Sequence, residues 1–193
     1  METIPSKSVK VASIQCSSLM GKTSENIKKL IPLIREAALQ GAKIIVLPET
    51  SITGYLSQDL KTNWRSSSLA LKDENFPFDF PFQLNPSFHA ETCPGATTEI
   101  FGKLSKELQV YITVPFLEKE WKNGEELYYN TVCLMNKDGN IVAHYRKNNP
   151  WPSPEKFWAT KGEDLAVYER LAANRSVDHR TRTWRLANLL HIR

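Results

Sequence analysis

The sequence predicts an α/β fold, a sheet covered by helices, and three observations predict it. Residues 9–47 read strand, helix, strand; residues 97–114 read helix, strand; and two apolar runs flank Asp138-Gly139. Alternating segments of this kind bury their apolar faces by layering helices on a sheet.

Each element follows from its pattern. Residues 9–15 alternate in part between apolar and polar side chains, which suits a strand with one buried face. An amphipathic helix comes next, with Thr23 or Ser24 available to cap it and Ile27, Leu30, Ile31, Ile34 and Ala38 forming one stripe. Gly41 supplies its stop, and Pro32 inside it removes a backbone donor and predicts a kink. Lys43–Leu47 is continuously apolar after its first residue, as in a strand covered on both faces. Pro48 ends that strand and delivers Glu49 at its C-terminal edge. A second helix is predicted over 97–108, with Phe101, Leu104 and Leu108 on one side, and a β-branched strand over 109–114. Leu127–Met135 and Ile141–Arg146 then flank Asn136-Lys137-Asp138-Gly139, a strong hairpin signal. Residues 59–93 break the rhythm: Phe76, Phe78, Phe80, Phe82 and Phe88 alternate with Pro77, Pro81 and Pro86. They predict a long surface loop whose rings pack as a lid or an oligomer contact.

The 193 residues, 41% of them hydrophobic, can bury one core and predict one domain. No apolar run has the length of a signal-peptide core or of a membrane span, so a cytoplasmic location is expected. Cys16, Cys93 and Cys133 are too few for a disulfide framework and match no metal-binding spacing, which predicts reduced, spare thiols. The net charge of +4 is concentrated in residues 170–193, which hold six arginines, no lysine and one acid, Asp178. The 169 residues before them use three arginines against sixteen lysines. Such a switch marks either an ordinary basic helical tail or a segment of different coding origin. A nucleic-acid or acidic-membrane binder is the weakest reading, because the tail has one aromatic, Trp184, and no recognisable binding module.

Three segments carry a resemblance. They are Ile44-Ile45-Val46-Leu47-Pro48-Glu49 leading to Gly54-Tyr55; Tyr129-Asn130-Thr131 with Asp138-Gly139; and Tyr145-Arg146-Lys147 followed by Pro154-Glu155. Gln15, Gly41-Ala42 and Pro94-Gly95 stand in register with them. In order and spacing the chain resembles the nitrilase superfamily of carbon–nitrogen hydrolases over residues 8–169, and the stretch from Trp151 to Trp158 favours its amidase-like members.

The resemblance implies the N-terminal part of a nitrilase-type α-β-β-α sandwich with a Glu-Lys-Cys site, no metal or organic cofactor, a small amide-like substrate and a homo-oligomer. Glu49 matches the general base, Lys147 the lysine that stabilises the oxyanion, and Glu155 the assisting second glutamate. Glu118 matches a further acid that supports the site. Outside this joint pattern Glu49 would read as a solvated loop carboxylate, and Lys147 as the charged end of a hairpin strand. The nucleophile is expected near 178–182, where the chain reads Asp178-His179-Arg180-Thr181-Arg182, and no cysteine follows Cys133. The expectation is therefore an incomplete hydrolase domain over 8–169, inactive for want of its thiol, followed by the tail 170–193. A non-catalytic nitrilase-like binding protein is the alternative.

Overall fold

The structure, a computed structural model, describes residues 8–55, 86–151, 155 and 158–163. The tail 170–193 and the aromatic loop as far as residue 85 lie outside the described residues. The elements are β1 (Val11–Ser13), α1 (Thr23–Leu39), β2 (Ile44–Val46), a 3-10 turn (Pro86–Phe88), α2 (Ala96–Leu108), β3 (Tyr111–Lys122), β4 (Glu125–Met135) and β5 (Ile141–Arg146). They form one five-stranded sheet in the order β1-β2-β3-β4-β5. Its first three strands are parallel and its last three antiparallel. The expected α/β layering is thus present. Among the described residues no helix is long and apolar enough to cross a membrane.

α1 and α2 cover one face. Leu30 and Ile34 of α1 and Phe101 and Leu104 of α2 meet Ile45, Ile112, Val114, Cys133 and Met135 in the main core. Full burial of each large apolar side chain here stabilises the fold by about 1.5–3 kcal/mol. α1 begins one residue earlier than a Thr23 cap requires: Lys22 holds the cap position and makes no side-chain cap hydrogen bond. The entry is held instead by buried Asn26, whose Oδ1 accepts from Leu19 N at 2.8 Å. Its Nδ2 donates to Leu19 O at 2.7 Å and Ile52 O at 2.9 Å. The fully buried stripe is accordingly Asn26, Leu30, Ile34 and Ala37, with Ile27, Ile31 and Ala38 packed along its margins.

β3 is twice the expected length and continues through Pro115. That proline lies beyond Ile112, the last residue paired with β2, where a missing ladder donor is tolerated. An unexpected hairpin then joins β3 to β4 through Asn123 and Gly124, both at positive φ (54° and 84°). Asn-Gly is the sequence that such a two-residue turn favours. The β4–β5 hairpin has the expected bounds on its second strand. Asn136 Oδ1 accepts from Asp138 N and Asn140 N, and Gly139 takes φ 86°. Leu134 pairs with Ala143 but Met135 with Ile141, so Val142 is an extra residue in β5, a bulge.

Strand alternation sorts the remaining side chains. Ile112, Val114, Phe116 and Glu118 of β3 share the helix-covered face with Thr131 and Cys133 of β4 and with His144 and Arg146 of β5. Leu117, Asn130 and Lys147 take the opposite face, where Leu117, Tyr128 and Trp158 form a second, smaller core.

Candidate active site

The sheet brings Glu49, Lys147 and Glu155 together on the face away from the helices. Glu49 leaves β2 directly after Pro48. The preceding Leu47 N–H donates to Thr113 Oγ1 at 3.0 Å, which ties the end of β2 to β3. After it the chain turns back, with Ser51 N donating to Pro48 O (3.1 Å) and Gly54 N to Thr50 O (2.7 Å). Gly54 has φ 71°, and a Cβ there would stand 2.8 Å from Met20 Cα, so this turn requires glycine. Lys147 is set by its own N–H, which donates to Asn130 O at 2.8 Å and extends β5 by one pairing. Gly162 N donates in turn to Lys147 O at 3.0 Å.

Lys147 Nζ lies 2.7 Å from Glu49 Oε1 and 2.9 Å from Glu155 Oε2. Asn130 Nδ2 donates to the same two residues, to Glu49 Oε1 at 2.7 Å and Glu155 Oε1 at 2.6 Å. Glu155 is wholly buried and also accepts from the backbone N–H of Trp151. Burial disfavours the Lys147 ammonium, but the hydrogen bonds to Glu49 and Glu155 outweigh it and hold its pKa above the ordinary lysine value. Tyr55 packs edge-on to Trp151 with ring centroids 6.2 Å apart. Burial, together with the nearby charges of Glu155 and Glu49, pushes its phenol well above the usual range. Two carboxylates thus share one ammonium and one amide in a low-dielectric setting. Such a cluster can accept a proton at Glu49 while keeping a cation poised for developing negative charge.

Asn130 was part of a motif in the sequence but carried no role there; the structure makes it the second link between the two carboxylates. Glu118 departs from the expectation that it supports this site. Strand alternation turns it to the helix-covered face, where it accepts from Thr131 Oγ1 (2.7 Å) and Arg146 Nε (3.1 Å) and pairs with His144 Nε2 (2.8 Å). Burial opposes its charge, but hydrogen bonds from His144, Arg146 and Thr131 prevail and hold its pKa down at about 2. Arg146 also reaches Glu120 at 2.8 Å and lies over the Tyr129 ring, 3.9 Å from its centroid.

Known proteins resemble this chain in sequence or in fold. A formamidase from Bacillus thuringiensis (strain Al Hakam) is 29% identical over 146 residues, which is 74% of this chain and 35% of that protein. The N-carbamoylputrescine amidase of Oryza sativa subsp. japonica is 30% identical over 160 residues, 80% of this chain and 44% of that protein. Among solved structures, a carbon–nitrogen hydrolase from Helicobacter pylori G27 superposes with a TM-score of 0.56 at 23% identity, over 82% of this chain and 46% of that one. An amidase of the nitrilase superfamily from Nesterenkonia AN1 gives 0.57 at 16% identity, over 84% and 52%. The chain therefore spans between about a third and a half of the length of these relatives. The carbon-nitrogen hydrolase family profile matches residues 10–169, the span that holds both core clusters and the Glu49–Lys147–Glu155 cluster. By that match, this chain belongs to the carbon–nitrogen hydrolase family.

Proposed function

We propose that Glu49, Lys147 and Glu155 are the acid–base and electrostatic part of a thiol-dependent hydrolase for non-peptide C–N bonds, and that this chain alone does not turn over. The observation that carries the reading is the Lys147 ammonium held at 2.7 and 2.9 Å between two carboxylates that Asn130 also bridges. In the completed site Glu49 takes the proton of an attacking thiol, and Lys147 faces the oxyanion of the tetrahedral intermediate. Glu155 holds Lys147 in place. Attack on an amide or carbamoyl carbon expels ammonia or an amine and leaves a thioester; attack on a nitrile gives a thioimidate, which a first water converts to the thioester with loss of ammonia. In either case water then hydrolyses the thioester and frees the thiol. The proposed inactivity follows from the sequence, in which no cysteine comes after Cys133.

Formamide and N-carbamoylputrescine are suitable probes, since the two curated relatives carry those names. The expected result is no ammonia release by the purified chain. Release that Glu49→Gln and Lys147→Met both abolish would keep the site and overturn the inactivity; release that neither affects would overturn the site. Reading all three forward frames of the transcript past Glu169 is the companion test. A cysteine after a Tyr-Gly-x-x-Gly segment in another frame marks a hydrolase. A single open frame ending in the arginine-rich tail favours a non-catalytic binding member, a reading motivated by the intact Glu49–Lys147–Glu155 cluster beside that missing thiol.

A further inference from the structure

The helix-covered face holds a second cluster that the proposed reaction does not use. Cys93 and Cys133, expected to be unrelated spare thiols, stand with their sulfurs 3.6 Å apart. His144 joins them, and the three donor atoms lie within 4.8 Å of one another. We propose that Cys93, Cys133 and His144 form a binding site for a thiophilic divalent cation, Zn2+ in the first instance.

The geometry is that of a coordination shell rather than of a bond between the sulfurs. A disulfide holds its sulfurs about 2.0 Å apart. Two thiolates bound at about 2.3 Å to one tetrahedral ion are separated by roughly 3.8 Å, close to the spacing found here. The donor set, two sulfurs and an imidazole, is chemically selective. It suits zinc and its soft neighbours and is wrong for magnesium or calcium, which require oxygen. Three protein ligands leave one position for water, the pattern of an open site.

Each ligand is delivered by a rigid element. Cys133 and His144 are register partners across β4 and β5. Cys93 comes from the segment entering α2, which is fastened to β3 by Glu91: its N–H donates to Leu117 O at 3.0 Å and its carbonyl accepts from Lys119 N at 2.9 Å. The Glu91 carboxylate also accepts from Thr97 N at 2.7 Å, fixing the start of the helix. The surroundings of His144 supply a second argument. Its Nε2 is engaged by the Glu118 carboxylate at 2.8 Å, and Glu118 is itself held by Thr131 and Arg146. A carboxylate on one ring nitrogen, orienting the imidazole so that the other can ligate, is the usual support of a metal-bound histidine. Cys133 is completely buried, while the His144 side chain is 35% exposed, which gives an ion its approach.

The test uses the full chain, reduced and stripped with a chelator, then titrated with Zn2+ alone and separately with Co2+. Expected are one ion per chain, protection of two of the three thiols from alkylation by Zn2+, and a thiolate-to-cobalt charge-transfer band. Cys93→Ser and Cys133→Ser should lose the band, Cys16→Ser should keep it, and Glu118→Gln should weaken binding about 10–100-fold. Thiol protection is read on the unmutated chain, so a misfolded Cys133→Ser does not stop the test. Absence of stoichiometric binding, alkylation of all three thiols at an unchanged rate, or a band that survives Cys93→Ser would each overturn the site. So would conversion of the pair to a disulfide that, once reduced again, binds no Zn2+.

Discussion

At Lys147 a single ammonium balances two carboxylates, one of them wholly buried. Removing one partner of a buried pair leaves an uncompensated charge and costs about 3–5 kcal/mol. Lys147→Met is therefore expected to lower unfolding free energy by about that amount in urea titrations, and a loss near zero would mean the cluster is solvated. The pH dependence has a definite sign. The folded pKa of Lys147 is raised above the ordinary 10.5, so its stabilisation is fully present below that value and lost as pH rises through the higher folded one. The stability difference between wild type and Lys147→Met should stay constant from neutrality to about pH 10.5 and shrink only above it. Shrinkage between neutrality and that point would contradict the assignment. Glu49, Lys147 and Glu155 stood out in the sequence as candidates for one site because flanking motifs mark them, and the structure brings the three together. Asn130 had its motif but not its task, since no local pattern says that one amide will span two carboxylates. The meeting of Cys93 with Cys133 was not legible at all, because residues so far apart in sequence are joined only by strand register and by where Glu91 docks.

Elements differ in how openly their sequences declare them. The β4–β5 hairpin announces itself through Asp138-Gly139, and the strand runs beside it are unbroken. The β3–β4 hairpin carried an equally good signal, Asn123-Gly124, but Lys119, Glu120 and Lys122 before it and Glu125 and Glu126 after it hide the apolar runs a reader looks for. α2 shows a packing constraint that composition conceals. A Cβ at Gly102 would lie 2.7 Å from Gly139 O, a backbone atom of the β4–β5 turn, whereas one at Gly124 would meet nothing. Gly102→Ala should thus cost about 1–3 kcal/mol through overpacking despite the better helix propensity of alanine. Gly124→Asn, at a positive φ that asparagine tolerates, should cost well under 1 kcal/mol. Parallel urea midpoints decide it: equal losses would show that α2 rides freely over the turn.

For the whole molecule, the sheet grades from a three-residue edge strand, β1, to the eleven-residue pairing of β3 with β4. Stability is distributed accordingly, because local openings start where few buried contacts hold a strand. Native-state hydrogen exchange should find the amides of Ile112–Val114, Phe116, Leu117 and Tyr129–Leu134 opening only with global unfolding, and those of Val11–Ser13 opening well below it. Equal protection across the sheet would refute this gradient. The layered architecture was legible as a whole, since period-two and period-four patterns alternate along the chain. Which face would hold the Glu49–Lys147–Glu155 cluster was not, as that depends on register set by turns and by Val142. The surplus Val142 has a consequence for insertions and deletions. Losing that one residue would leave Met135 opposite Ile141 and Leu134 opposite Ala143, so β5 should accept the deletion with both faces intact. Gaining one residue between His144 and Tyr145 would exchange Arg146 and Lys147 between the faces, placing a guanidinium against Glu49 and Glu155 and an ammonium against Glu118. A strand that forgives a missing residue a few positions upstream would forgive no extra one here.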